Sequence, residues 1–463
     1  MSLVRYLTSS IFCVAVLLFF GLAYPQHLHY QEQYQLFLFD SSYVWDIVKQ
    51  PGGVADLLGR FCTQFFLYAW VGAAIIAVLL SIVQLTVLQL MGSNKLYGLS
   101  FIPSAMLWLY LLDENALLSG VWAVMLTLFV AWIVMSLTKG WLRVVLLLIA
   151  IPILYYLAGP VCLPIPVDRL WSGIHYYRMP KVFPWLLWAA AFSAFVIVLI
   201  GRFFRRKTII QHLTPIISHL IFGLVAICAG WLVWKNANFK AEKVMQYDFM
   251  ATHQQWNRII ETANKEKPNN QIGVTVQNLA LAMRGVLLDQ MQNYNQNGIA
   301  GLLPDVQSDA TSPIPTAEAF YQLGMINVAQ RTVFEAQEAI LDFQKSGRCY
   351  KRLAQTNLIN GNYEVARKYL AALQKTLFYR DWANETLPLL GDEKAIENHP
   401  EYGRLRKWAY KDNFLFSDHV TPEMLESLFF GCKDNSMAYQ YLIAYYMLTG
   451  DRQRYNNFIS KNR

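Results

Sequence analysis

Hydrophobic positions come in long unbroken runs over the first half of the chain and at every third or fourth place over the second. A helix crosses a bilayer core with about 20 apolar residues. Runs of that kind predict spans at 7–24, 64–91, 97–112, 116–137, 141–162, 183–203 and 212–234, seven in all. The third is the weakest, being short and carrying Pro103. Between the first two spans lies 25–63, an aromatic, amphipathic stretch that predicts helices along a membrane surface. Residues 235–463 carry the rhythm of water-exposed helices. The predicted fold class is all-α: a seven-helix transmembrane bundle over 1–234, then a soluble helical-repeat domain over 235–463.

The clearest rhythm lies in "RLAQTNLINGNYEVARKYLAAL", from Arg352 to Leu373. Leu353 and Ala354 share one face of a first helix, Gly361-Asn362 makes a turn, and Ala366, Leu370 and Leu373 form the stripe of a second. Small Ala354 and Ala366 let the two helices approach closely. This pattern resembles a tetratricopeptide repeat (TPR). Leu323-Gly324, Ala336 and Ile340 keep the offsets upstream. Tyr439, Leu442, Tyr446, Gly450 and Ile459 keep them downstream, with Tyr455 where a small residue belongs. Helices at 241–264 and 271–292 read as degenerate versions, 296–316 as a loop and 390–420 as irregular. The resemblance implies a TPR-like α-solenoid with a concave surface that holds a peptide or protein.

Composition sharpens the division. Of 463 residues 55% are hydrophobic and 15% charged, against roughly 25% charged in ordinary soluble proteins. Residues 1–234 hold 13 Lys/Arg and seven Asp/Glu, whereas 235–463 hold 26 and 24. Arg5, Lys95, Lys139, Arg143 and the cluster Arg202, Arg205, Arg206 and Lys207 fall on one side of the spans, and all seven acids fall on the other. The positive-inside rule then predicts a cytoplasmic N-terminus and a periplasmic C-terminal domain. If 97–112 fails to cross, the C-terminal side reverses. The Arg202–Lys207 cluster reads as an anchor on the headgroups of a phospholipid bilayer. The soluble half has no dense basic stripe, which argues against nucleic acid as a partner. Six cysteines without a C-x-x-C pair give neither a zinc pattern nor a disulfide framework.

Candidate chemistry is sparse. Asp40, Asp46 and Asp56 in "LFLFDSSYVWDIVKQPGGVAD" read first as helix punctuation, with Asp40 as an N-cap and Asp56 in a first helical turn. His27-Leu28-His29 with Glu32 carries metal-ligand types, yet at a membrane interface it reads as polar headgroup contacts, and neither metal nor cofactor is expected. Within the spans His219 is the notable ionisable residue, too little for a charge-coupled transporter. In the soluble half Arg348, Lys351, Arg352, Arg367, Lys368 and Lys375 surround the best repeat. They read as a solvated face or as a basic groove for an acidic partner.

The segments "QEQYQLFLFDSSYVWDIVKQPGGVADLLGRFCTQFF", "LGMINVAQRTVFEAQEA" and "RLAQTNLINGNYEVARKYLAALQKTLFYRDWA" resemble an uncharacterised family of polytopic inner-membrane proteins from Bacteroides-type bacteria. That resemblance implies a bacterial inner-membrane protein with a tetratricopeptide-like domain after its last span. It implies no activity and no functional residues. The architecture is also similar, more distantly, to glycosyltransferases that use lipid-linked donors and carry an acid in the first outward loop. There Glu32, Asp40 or Asp46 would serve as general base toward an acceptor hydroxyl. The expectation is therefore a membrane-anchored adaptor that gathers partners of an envelope assembly or secretion process, with the glycosyltransferase as the alternative.

Overall fold

The computed structural model describes residues 2–92, 96–158, 184–205, 214–305, 313–340, 344–410 and 421–461. All its regular elements are helical among those residues. The chain divides into two compact units, Met1–Glu242 and Lys243–Arg463, with the boundary inside a helix.

The first unit contains α1 (Ser2–Leu18), α2 (Pro25–Glu32), α3 (Ser41–Val48), α4 (Gly53–Thr63), α5 (Ala69–Met91), α6 (Phe101–Tyr110), α7 (Leu118–Leu137), α8 (Trp141–Ala158), α9 (Trp185–Arg205) and α10 (Thr214–Asn236). Five stretches are long and apolar enough to cross a membrane: Arg5–Ala23, Ala69–Met91, Leu118–Leu137, Trp185–Phe204 and Ile216–Asn236. The other two expected spans are shorter as helices. Over 97–112 a 3₁₀ turn, Tyr97–Ser100, precedes the ten-residue α6. Over 141–162 the helix is α8, and residues 159–162 lie outside the described part. In the second span, 64–67 forms a 3₁₀ turn before α5 begins.

The core of this unit is apolar and aromatic, with Phe20, Leu28, Phe66, Ile76, Leu80 and Leu107 fully buried. One polar chain runs through it. Ser9 Oγ donates to Gln84 Oε1 at 2.8 Å, and Gln84 Nε2 donates to Ser100 Oγ at 2.8 Å. Ser100 Oγ donates to the Tyr97 carbonyl at 2.7 Å, and Ser104 Oγ donates to the Leu80 carbonyl at 2.8 Å. Away from water each such group needs an internal partner, and these have one. The chain ties α6 antiparallel to α5.

The boundary helix is α11 (Phe239–Thr252). The second unit continues with α12 (Trp256–Glu266), α13 (Gln271–Met283), α14 (Leu287–Gln290), α15 (Pro313–Leu323), α16 (Ile326–Ala339), α17 (Gly347–Ile359) and α18 (Tyr363–Leu373). It closes with α19 (Arg380–Thr386), α20 (Glu393–Asn398), α21 (Tyr402–Trp408), α22 (Thr421–Gly431), α23 (Ser436–Thr449) and α24 (Arg452–Lys461). The expected hairpin is present. Gly361 turns the chain at φ 78°, a left-handed conformation that glycine adopts without a Cβ clash. Ala354, Ala366, Leu370 and Leu373 are wholly buried where α17 meets α18.

Three expectations change. The 241–264 helix is two, α11 and α12, because the chain breaks at 253–255 with Gln254 at φ 53°. The irregular 390–420 stretch contains α20 and α21. The last hairpin does not continue a stack after α18. Instead α23 packs on α13, α14 and α15, with Asn435 Nδ2 on the Leu323 carbonyl at 2.8 Å and Gln440 Nε2 on the Ala282 carbonyl at 3.1 Å. α23 is apolar nearly all round, so its spacing marks it as a buried helix but does not say which helices cover it.

Candidate functional site

Local chemistry accounts for the aspartates of the first loop. Asp40 has extended backbone ahead of α3, and its Oδ1 accepts from the amides of Ser42 at 3.0 Å and Tyr43 at 3.3 Å. It thus satisfies donors that a helix start leaves open. Asp46 points outward, and Lys49 Nζ donates to it at 2.5 Å. Asp56 accepts from Arg60 Nε at 3.0 Å and Nη2 at 2.6 Å across one helical turn of α4. Glu32 differs from these: it ends α2 and is buried, as are Gln31 and Gln35 near it.

Two strongly perturbed groups of the first unit, Glu242 and His27, stand at α2. Glu242 receives the amides of Gln26 at 2.7 Å and His27 at 2.9 Å, capping the N-terminal turn of α2 from more than 200 residues away. Burial pushes its carboxyl up to about 7, against the pull of the two amides. His27 is fully buried, and its Nε2 meets the Leu111 carbonyl at 2.8 Å. Burial pushes its imidazole down to about 4, so the ring is neutral near pH 7. Tyr24 stacks on it at 4.6 Å between centroids, and Gln31 Nε2 donates to the Ala116 carbonyl at 3.2 Å. His27 thus commits Nε2 to a backbone carbonyl, while its buried Nδ1 has no hydrogen-bond partner among the described residues. Among the described residues no three His, Cys, Asp or Glu side chains are grouped to hold a metal ion. Sequence reasoning did not pair Glu242 with α2. Its one local signal was an acid in the first turn of the helix after the last span.

Arg202 donates through Nε to the Leu90 carbonyl at 3.0 Å and through Nη2 to Met135 Sδ at 3.3 Å. Arg143 Nη2 meets the Met135 carbonyl at 3.0 Å. Cations therefore sit on the C-terminal turns of α5 and α7, where the helix dipole is negative. Arg205 closes α9, while Arg206 and Lys207 lie outside the described residues, as do His212 and the loop 163–182. His219 sits on α10 edge-on to Tyr97, with 5.7 Å between centroids.

The six cations of the second unit separate into two sets. Arg348 makes two bonds to Asp248, at 2.5 and 2.7 Å, and both side chains are largely buried. Arg352 pairs with buried Glu318 and lies flat over Tyr321 at 3.6 Å. Tyr321 Oη donates to Glu401 at 2.8 Å, and Arg404 Nη2 donates to Gln322 Oε1 at 2.9 Å, so α21 covers the face of α15 and α17. Lys351 stands over Trp382 at 4.9 Å; burial and then the Arg352 charge push its ammonium below the ordinary value. Arg367, Lys368 and Lys375 are exposed on or just after α18. The structure therefore offers no single surface of six open cations. Arg348 and Arg352 are held by acids more than 30 residues away.

Comparison with known proteins yields a match to a family of unknown function (DUF6057), over residues 1–167 and 163–463. No curated protein and no solved structure matches the chain.

Proposed function

We propose that this chain, which belongs to the DUF6057 family of unknown function, is a membrane-anchored adaptor whose second unit holds a protein or peptide partner at the periplasmic face of a bacterial inner membrane. The observation that carries this reading is the stacked pair of hairpins, α15–α16 and α17–α18, with wholly buried alanines at their contacts. That arrangement is TPR-like, and such repeats work chiefly by holding other chains. With Arg348 and Arg352 committed to internal acids, the contact cations of this reading are Arg367, Lys368 and Lys375.

Contacts within the first unit support seven crossings. Ser100 and Ser104 of the α6 segment meet Gln84 and Leu80 on α5, and Leu111 beyond its other end meets His27 past the end of α1. The segment thus runs back along α5 although α6 itself is short. Arg143 and Arg202 share one end of the bundle with Leu90 and Met135. Asp113 and Glu242 gather with α2 at the other end. By the positive-inside rule the cationic end is cytoplasmic.

The test is photo-crosslinking in native membranes from residue 368, with and without the changes Arg367→Glu and Lys375→Glu. A discrete protein adduct that the charge reversals abolish is the expected result. Absence of any protein adduct from residue 368 overturns the reading. For the glycosyltransferase alternative, Asp40 also caps a helix and Asp46 is paired with Lys49 in the open. Glu32 is the buried acid among its three candidates. Loss of an envelope phenotype in a well-folded Glu32→Gln variant would revive it.

A further inference from the structure

Soluble surfaces seldom expose several large aromatic side chains in one row. The first unit does so at the junction of its first loop with α5. Phe39 is 45% exposed, Phe61 38%, Tyr68 54% and Trp70 50%. The ring centroids of Phe39 and Phe61 lie 6.4 Å apart, and those of Phe61 and Phe65 5.6 Å apart. The row then follows the 3₁₀ turn Gln64–Leu67 directly into the first residues of α5. Trp70 lies over Gly21, next to Leu22, an exposed leucine at the end of the first apolar stretch. The row is thus continuous at one end with surface long and apolar enough to lie in hydrocarbon.

The helix α3 of the same loop has another character. Ser41, Ser42, Trp45 and Asp46 are exposed along α3, Lys49 and Gln50 just past its end, and Asp46 is paired with Lys49. Ile47 is buried, and Tyr43 Oη is tied to the Leu36 carbonyl at 2.9 Å. So α3 is fixed to its loop by one face and shows hydroxyls, the Asp46–Lys49 pair and the Trp45 indole on the other. An aromatic row beside a charged helix, both joined to an apolar span, matches the headgroup layer, where aromatic rings collect between hydrocarbon and water.

The geometry points to Phe39, Phe61, Tyr68 and Trp70 as a docking ridge for the phospholipid headgroup boundary, with the bilayer as the surface that covers it. The ridge holds the first loop down against the membrane and leaves Asp46 and Lys49 in water. This rests on the membrane reading of the apolar helices and is independent of any adaptor partner.

The experiment places the photo-reactive amino acid p-benzoylphenylalanine, one site at a time, in the full chain in native membranes. The sites are Phe39, Phe61, Leu224 on α10, and Phe334 and Phe430, which are exposed aromatics of the second unit. After irradiation, phospholipid adducts are read by mass spectrometry. The expected result is lipid adducts at 39, 61 and 224 and their loss at 334 and 430. Adducts at 224 but only protein adducts, or none, at 39 and 61 overturn the ridge while the spans stand. Lipid adducts at none of the sites overturn the ridge together with the membrane reading beneath it.

Discussion

The two units bury polar groups by different means, and the difference follows from what surrounds each. In the first, the polar chain inside the helices is neutral: Ser9, Gln84, Ser100 and Ser104, each hydrogen-bonded. Its charges, some of them buried, lie at helix ends and in the first loop, as with Arg143, Arg202, Glu242 and the Asp56–Arg60 pair. In the second, buried ion pairs join helices distant in the chain, with Arg348 on Asp248 and Arg352 on Glu318. A charge in hydrocarbon costs several kcal/mol that neutral amides and hydroxyls avoid. The surfaces agree with this division. Exposed large apolar side chains line nearly every long helix of the first unit, whereas in the second they are Phe334, Val365, Leu377 and Phe430 among the described residues.

The strongest way to break this comparison is to strip one partner from a buried charge. Glu318→Ala leaves the Arg352 guanidinium buried against Tyr321 and costs about 3–5 kcal/mol of local stability in the second unit. Ser100→Ala removes two neutral bonds from the polar chain of the first unit and costs about 1 kcal/mol. Hydrogen exchange of α17 and of α6 in the full chain in detergent measures both. A similar loss at the two sites would mean that the units do not bury polarity differently.

The second effect depends on pH and belongs to the first unit. Glu242 has a folded value raised to about 7, so it holds its proton more tightly folded than unfolded. Its contribution is full below about 4.5 and is lost as pH rises toward 7. His27 has a folded value lowered to about 4, so its contribution is full above about 6.5 and is lost as pH falls toward 4. Between roughly 4.5 and 6.5 the two slopes oppose each other and nearly cancel. Glu242→Gln removes one slope, leaving stability that climbs from pH 4 to 6.5. His27→Gln removes the other, leaving stability that declines from 4.5 to 7. Each swing is on the order of 3 kcal/mol, read as the melting temperature in detergent across pH. Parallel profiles in the two variants would refute the assignment.

Much of this was open to reading in the chain. Asp40 before Ser41-Ser42 was an expected N-cap, and its carboxylate is found on the Ser42 and Tyr43 amides. Gly361 was an expected turn, and it has positive φ. The longest apolar runs became α5, α7 and α10. What escaped was of another physical kind. Spacing tells which face of a helix is buried, not its partner, so neither the return of α23 onto α13 nor the grip of Asp248 on Arg348 was visible. For the same reason Arg348 and Arg352, four apart on one face of α17, looked like a binding surface. Nor does hydropathy register a break such as Gln254, where the backbone conformation divides α11 from α12.

The smallest expected effects bear on whether the first loop works by packing or by chemistry. If Asp40 is only a cap, Asp40→Ala costs about 1 kcal/mol, because the amides of Ser42 and Tyr43 lose their acceptor. Asp40→Asn keeps an oxygen in place, and asparagine caps about as well as aspartate, so that variant is close to neutral. Asp46→Asn removes an exposed pair with Lys49 and leaves stability unchanged within error. A general base gives another order: Asp40→Asn and Asp46→Asn would each fold normally and one of them would abolish function, since an amide cannot take a proton at neutral pH. Melting temperatures beside growth under envelope stress separate the two cases. Normal growth with both asparagine variants would leave the two aspartates to helix capping and surface pairing, and the burden of any chemistry on Glu32.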